Sequence, residues 1–269
     1  MQLGISTFTY KWSFGIKGYP RAKNPLDAAK LVHRASALGV DLVQIGDNYP
    51  LHTSMEEELS GLKALSDEKG IDLEIGTSGT DPAGLLDYLN VAKLLGAGLI
   101  RSRVGRPGEP EDMETAQRNL AEVLGAYEKA GVLLALENYE LYSVHALADL
   151  LTGLNSPVLG ACLDTSNSLG ALETPDIVLD ALAPHTLCLH IKDFRFVRVE
   201  YGLGYVVQGC PVGEGQLDVK KIIERVRFNG RLKSMVLEQW TPYQGSVDES
   251  VVLQDQWAEK SIGYLKRLV

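Results

Sequence analysis

Short apolar runs alternate with longer stretches of helical periodicity from one end of the chain to the other. The first run is Leu3–Thr7, followed by a helical pattern over Pro25–Leu38 that Gly39 ends. Asp41–Ile45, Ile71–Ile75 and Leu99–Val104 read as the next three strands. The helix between the first two of these spans about Ser54–Lys69, with Ser54 and Glu57 at capping-box spacing and Gly70 as the stop. The next opens at Asp81-Pro82, an N-cap acid with proline at the first helical position, and stops near Gly96. The rhythm then repeats. Strands are expected at Val132–Glu137, Val158–Leu163, Leu187–Ile191 and Ser234–Glu238, with helices over about Pro110–Ala130, Ser143–Leu151, Pro175–Leu182, from Asp218, and Val247–Arg267.

Strands that alternate with helices imply right-handed parallel βαβ units. Eight such pairs without a change of composition predict one domain over 1–269, an α/β fold of the (β/α)8 barrel type. The rival, a doubly wound open sheet, usually carries a glycine-rich phosphate turn after its first strand, and this chain has none. The stretch Gly202–Gly215 holds five glycines and is expected to be a long loop near the site.

Composition narrows the partners. The formal charge is −9, which argues against nucleic acid, whose backbone calls for a basic face. The longest apolar stretch, Leu85–Ile100, is broken by Asp87, Asn90 and Lys93, so no membrane span is expected. The first residues lack a basic segment followed by an apolar core, so they do not read as a secretion signal. Cys162, Cys188 and Cys210 are odd in number and widely spaced, a pattern of reducing compartments, and a cytoplasmic location is expected. A homo-oligomer is compatible with all of this.

In a barrel, chemistry sits where strands end and βα loops begin. Glu137, Asp164, His190 and Glu238 stand at the ends of strands five, six, seven and eight. Three carboxylates and an imidazole on successive strand tops would hold one divalent cation, Mn²⁺, Mg²⁺ or Co²⁺, with positions left open for substrate. Without a cation, such a convergence of buried groups is costly. Arg101 and Arg103, at the top of strand four, share a side of that strand and suit bidentate contact with an acid group. Lys192, two residues past His190, shares its side and is a candidate for a hydroxyl or acid group. His52, after strand two, is a candidate substrate contact, as are Gln44 and Glu74, while Asn138 and Tyr139 are candidates to line the pocket. His33, His145 and His185 read as structural.

The segments ALENYE, CLDTSNSLG, LHIKDF, GCPVGEGQLD and VLEQW resemble motifs of the xylose-isomerase-like sugar isomerase/epimerase barrels. The resemblance spans the chain and implies the same fold and the same four metal ligands. It also implies that Glu137 and Glu238 double as proton carriers. One departure stands out: where the ketose epimerases usually carry a histidine that touches substrate, this chain has Asn167. The related DNA-repair endonucleases bind extra metal ions through several more histidines, whereas this chain has five in all.

The expected activity is that of a metal-dependent isomerase or epimerase of a sugar or sugar acid, working through a metal-stabilised enediolate. Glu137 and Glu238 reach the substrate from opposing sides to remove and return a proton. The alternative is a lyase on the same platform, a decarboxylase or dehydratase of a 3-oxo sugar acid. The strand-four arginines and the segment QIGDNYPL look more like that acid-sugar branch.

Overall fold

The computed structural model describes residues 1–106 and 108–269. Eight parallel strands close into a barrel in the order β1 (Gln2–Ser6), β2 (Leu42–Ile45), β3 (Asp72–Gly76), β4 (Leu99–Ser102), β5 (Leu133–Glu137), β6 (Leu159–Asp164), β7 (Thr186–Ile191) and β10 (Ser234–Leu237). The α/β barrel expected from the sequence is therefore the observed fold. Around it lie α1 (Lys11–Phe14), α2 (Ala28–Leu38), α3 (Glu56–Lys69), α4 (Pro82–Leu95), α5 (Met113–Ala130), α6 (Val144–Leu154), α7 (Pro175–Leu182), α8 (Val219–Phe228) and α9 (Val247–Leu265). Among the described residues no helix is long and apolar enough to cross a membrane.

Local chemistry sets the element ends. The side chains of Asp27, Asp81, Asp112, Ser143, Thr174, Asp218 and Ser246 each accept a backbone N–H in the first turn of their helix. Gly39, Gly70, Gly96 and Gly131 end α2 to α5 in the left-handed conformation. The expected cap at Ser54 is displaced. Ser54 closes a 3₁₀ turn over Leu51–Thr53, and α3 begins after Met55, whose N–H donates to Glu58 Oε2 at 3.1 Å.

The barrel lumen is layered. Leu42, Leu99, Ala135, Cys162, Cys188 and Val236 form a buried apolar cluster that serves as its floor. Strand side chains alternate, so the residue two positions further along points to the same side. On those six strands the next inward residues are Gln44, Arg101, Glu137, Asp164, His190 and Glu238, all buried. A polar layer thus sits directly on an apolar one, at the C-terminal end of the strands.

The glycine-rich stretch after β7 is not the loop its composition suggested. It forms an antiparallel hairpin, β8 (Asp193–Arg198) with β9 (Tyr205–Cys210), because the valines and aromatics that flank its glycines favour strand. The turn that follows is wrapped around one carboxylate. Asp193 Oδ2 accepts the N–H groups of Gly213 and Gly215 at 2.9 and 3.0 Å, and Oδ1 accepts those of Phe194 and Leu217 at 2.8 and 3.2 Å. A Cβ on Gly215 would lie 2.0 Å from Asp193 Oδ1, which leaves only glycine at that position. Asp193→Ala strips four amides of a charged acceptor and is expected to cost about 2–4 kcal/mol. Denaturant unfolding together with hydrogen exchange over residues 213–217 checks this; unchanged stability and unchanged protection would remove the clamp.

Candidate metal centre

The parallel register fixes the centre. Asp164 on β6 stands beside His190 on β7, and β5 brings Glu137 alongside β6. Glu238 follows β10, where its N–H donates to Ile191 O at 3.0 Å. The ligand atoms of Glu137, Asp164, His190 and Glu238 all lie within 4.8 Å of one another. His190 Nδ1 is 3.0 Å from Glu137 Oε1, 3.3 Å from Glu238 Oε1 and 4.0 Å from Asp164 Oδ2.

The histidine tautomer follows from what lies beneath it. Gln44 Nε2 donates to Glu74 Oε2 at 2.9 Å, which turns Gln44 Oε1 toward His190 Nε2 at 2.8 Å. His190 therefore carries a proton on Nε2 and turns Nδ1 toward three carboxylates, where its lone pair could hold a cation. Three carboxylates converging on one imidazole nitrogen need positive charge among them: a proton on Nδ1, which their charges favour against burial by holding the His190 pKa well above its usual value, or a metal cation in its place. Among the described residues Glu238 Oε1 is buried without a hydrogen-bond donor, and Asp164 Oδ2 is buried with the Lys192 ammonium as its one charged neighbour at 2.9 Å. Oxygen donors with one imidazole suit a divalent cation of the Mg²⁺, Mn²⁺ or Co²⁺ kind, so the residues fit such an ion.

Neighbouring groups hold each ligand in place. Asp164 Oδ1 accepts the N–H groups of Ser166 and Asn167 at 2.9 and 2.8 Å, leaving Oδ2 turned to the centre. The Asn138 side chain braces the Asp164 backbone, accepting its N–H at 2.7 Å and donating to its carbonyl at 3.0 Å. Lys192 Nζ lies 2.9 Å from Asp164 Oδ2, 3.0 Å from Glu238 Oε2 and 3.0 Å from Asn167 Oδ1. Asn167 Nδ2 donates to Glu137 Oε1 at 3.2 Å. Burial and the like charges of Glu137 and Glu238 push the Asp164 carboxyl up despite Lys192. Burial would raise Glu137 as well, but Arg101 and His190 outweigh it and hold that carboxyl well below the usual range.

The arginines fall beside the centre, on the side of Glu137. Arg101 Nε lies 3.1 Å from Glu137 Oε2 and its Nη1 lies 3.1 Å from Asp47 Oδ1. Arg103 Nη2 reaches Asp47 Oδ2 at 3.0 Å, and its guanidinium lies 4.8 Å from the centre of the Tyr139 ring. Asp47 was not singled out from sequence. Its signal was available, an acid two residues past β2 at the catalytic end of the barrel. The nearby acids of the β4 loop, Glu109 and Glu111, make no ion pair with Arg101 or Arg103 among the described residues. Glu111 instead accepts from Thr80 and Asn119, while Arg106 pairs with Asp81. Gln44 and Glu74, read as candidate substrate contacts, support His190 from below. His52 is not brought to the four ligands: it is exposed, its Nδ1 lies 3.0 Å from Tyr88 Oη, and with Arg106 it lines a cavity of about 510 Å³ that shares Asp47 with the arginine side of the centre.

Comparison with known proteins places these features in a family. The family model described as xylose isomerase-like TIM barrel matches residues 32–268. The chain is 32% identical over 265 residues to 3-oxo-isoapionate decarboxylase of Pectobacterium atrosepticum, covering 98% of this chain and 95% of that protein. Among solved structures it is similar to D-psicose 3-epimerase from Clostridium cellulolyticum H10 with D-tagatose, at 16% identity and a TM-score of 0.75, covering 100% and 99% of the two chains. It is also similar to a xylose isomerase-like TIM barrel protein from Mycobacterium smegmatis in complex with magnesium, at 15% identity and a TM-score of 0.69, covering 100% and 98%. At those identities the two structures speak for the fold alone.

Burial pushes the Glu74 carboxyl up to about 8, from an ordinary value of 4.5. The proton on Glu74 thus stabilises the fold fully below pH 4.5, and that contribution is lost as pH rises through 8. Glu74→Gln mimics the protonated form, so the melting temperature of wild type relative to this variant should fall from pH 4.5 to 8 and level off above. A difference that stays flat over that range would show Glu74 to be ionised in the fold.

Proposed function

This chain belongs to the xylose isomerase-like TIM barrel family, and from that premise we propose that it is a metal-dependent decarboxylase of a 3-oxo sugar acid. Glu137, Asp164, His190 and Glu238 are the metal ligands in this reading. The observation that carries it is Arg103, whose Nε is buried beside the centre and has no hydrogen-bond partner among the described residues. A buried guanidinium donor left over next to a carbonyl-binding site is suited to a substrate carboxylate.

The charges agree with an acid substrate. Around the centre the carboxylates of Glu137, Asp164, Glu238 and Asp47 face the cations Arg101, Arg103 and Lys192, which leaves one negative charge. A divalent cation turns that into one positive charge, and a single substrate carboxylate neutralises it. The relative in Pectobacterium is named for decarboxylation of an oxo acid. The isomerase or epimerase reading draws on structures alike in fold alone, and the chain carries Asn167 where those epimerases usually have a histidine.

When bound, the divalent cation supplies a Lewis acid for the 3-oxo group and for the charge that develops on its oxygen. Arg103 holds the carboxylate of the substrate across Asp47, with Arg101 fixing Asp47 and Glu137 together. The bond from the carboxylate to its neighbouring carbon breaks, CO₂ leaves, and the electron pair moves into an enolate. The carbon that lost CO₂ then takes one proton. Lys192, whose ammonium lies 3.0 Å from the Glu238 carboxylate, stands on the side of the centre away from the arginines and donates it, and the amine left behind takes a proton back from solvent. Glu137 is already engaged by Arg101, which suits a ligand more than a base. An epimerase would need both glutamates as proton carriers; decarboxylation needs one delivery.

Two measurements test this. The protein should bind one divalent cation, and Asp164→Ala and His190→Ala should each weaken binding roughly a hundredfold or more while the fold survives. Calorimetric titration checks it, and stoichiometric metal in both variants would sink the ligand assignment. With a 3-oxo sugar acid in D₂O, CO₂ should appear and the product should carry one solvent deuterium on the carbon that lost it. Arg103→Ala should lower kcat/KM by tenfold or more, the scale of one lost charge-assisted hydrogen bond. Epimerised substrate with exchanged label and no CO₂ would return the protein to the isomerases.

A further inference from the structure

The β8–β9 hairpin starts one residue after Lys192 and projects from the catalytic end of the barrel. Its surface is unusual for water. Tyr201 and Leu203 at the tip are 93% and 98% exposed, Tyr205 is 68% exposed, and Phe196, Val206 and Val207 are each 40–44% exposed. The aromatics are ordered into a strip. The rings of Phe194 and Phe196 meet edge to face at 5.7 Å, and those of Phe196 and Tyr205 at 5.1 Å. Trp240 continues the strip at the base, where it packs so closely on Gly209 that a Cβ there would lie 2.7 Å from the Trp240 carbonyl.

The hairpin also has one open edge. On the outer edge of β8, Phe194 N–H donates to Asp193, Phe196 N–H donates to Gln216 Oε1, and Phe194 O accepts from Gln216 N–H. Those two residues therefore point their backbone away from β9, and so do their cross-strand partners Gly209 and Val207. Tyr205 follows by alternation. Nothing among the described residues caps the β9 edge as Gln216 caps β8.

We propose that this hairpin is the interface through which two copies of the chain form a twofold dimer, β9 lying against β9 of the second copy. Edge pairing would set Tyr205, Val206 and Val207 of β9, exposed by 68%, 44% and 40%, beside their counterparts as cross-strand neighbours and cover part of that apolar surface. Charge favours a second copy as the occupant. The chain carries −9 overall, yet over 193–210 the hairpin has two arginines, Arg195 and Arg198, against Asp193 and Glu200. It is the neutral projection of an acidic molecule, where two copies approach with least repulsion. An antiparallel pair of identical strands is self-complementary about a twofold axis, so each copy satisfies the open edge of the other.

The full chain is tested by analytical ultracentrifugation from 1 to 100 µM. The wild type should be a dimer. Tyr201→Glu with Leu203→Glu, and separately Val207→Pro, which removes an edge donor, should each weaken dimerisation at least tenfold. Circular dichroism should be unchanged in both variants, because the substituted residues lie outside the barrel. Amide protection over residues 205–209 should rise with wild-type concentration and not in the variants. A wild type that stays monomeric at 100 µM overturns the proposal, and so does a dimer that survives both variants. A monomer whose variants lose turnover would also overturn it, since the hairpin would then close over its own site.

Discussion

The arrangement of the catalytic end depends on burying three carboxylates and an imidazole on top of an apolar floor. Charges so placed are costly unless each meets an opposite charge or a donor. Arg101 and Lys192 supply this from the two sides. Arg101 is itself fully buried and reaches Glu137, Asp47 and the carbonyl of Thr77 at once. The pairing of β4 with β5 puts Arg101 opposite Ala135, so Glu137 stands one inward step higher, within reach of the guanidinium. A slip of one residue between these strands would send Glu137 to the helix side and leave Arg101 buried without a partner. The barrel register and the charge pattern thus enforce each other.

Much of this was legible in the sequence because strands buried on both faces read as plain apolar runs, and the residue ending each run is then conspicuous. Glu137, Asp164, His190 and Glu238 stand out in this way, and helix ends show through capping acids and left-handed glycines. What was not legible depends on contacts between distant segments. Asp47 looks like any acid after a strand until β4 brings two arginines to it. Gln44 and Glu74 looked like candidate substrate contacts, but their place beneath His190 follows from barrel closure between β2 and β7 across the lumen. The glycines of 202–215 suggested a loop. Gly215 is instead required by the close approach of Asp193, and Gly209 by Trp240, so those two mark tight packing. Ser54 and Glu57 had capping-box spacing, yet the 3₁₀ turn at Leu51–Thr53 shifts the helix start by two residues.

An isomerase and a decarboxylase can share such a floor because both generate an enolate next to a carbonyl. They differ in how the negative charge arises. Proton abstraction needs a base on the open side of the substrate, and a glutamate held by an arginine is poorly suited to that. Decarboxylation brings the charge in with the substrate, as a carboxylate, and moves it onto the carbonyl oxygen while neutral CO₂ departs. The site therefore needs a cation where the charge starts and cations where it ends. In the proposed decarboxylation Arg103 at the rim would answer the first need, and the quartet that could hold a cation, with Lys192 bridging Asp164 and Glu238, would answer the second. Were Arg103 to grip the carboxylate too strongly, it would stabilise the bound acid more than the transition state. The Asp47 carboxylate, shared between Arg101 and Arg103, would counter this in the proposed reaction: it offsets part of the positive charge of Arg103, so that an acid could be oriented without the charge being held at the rim.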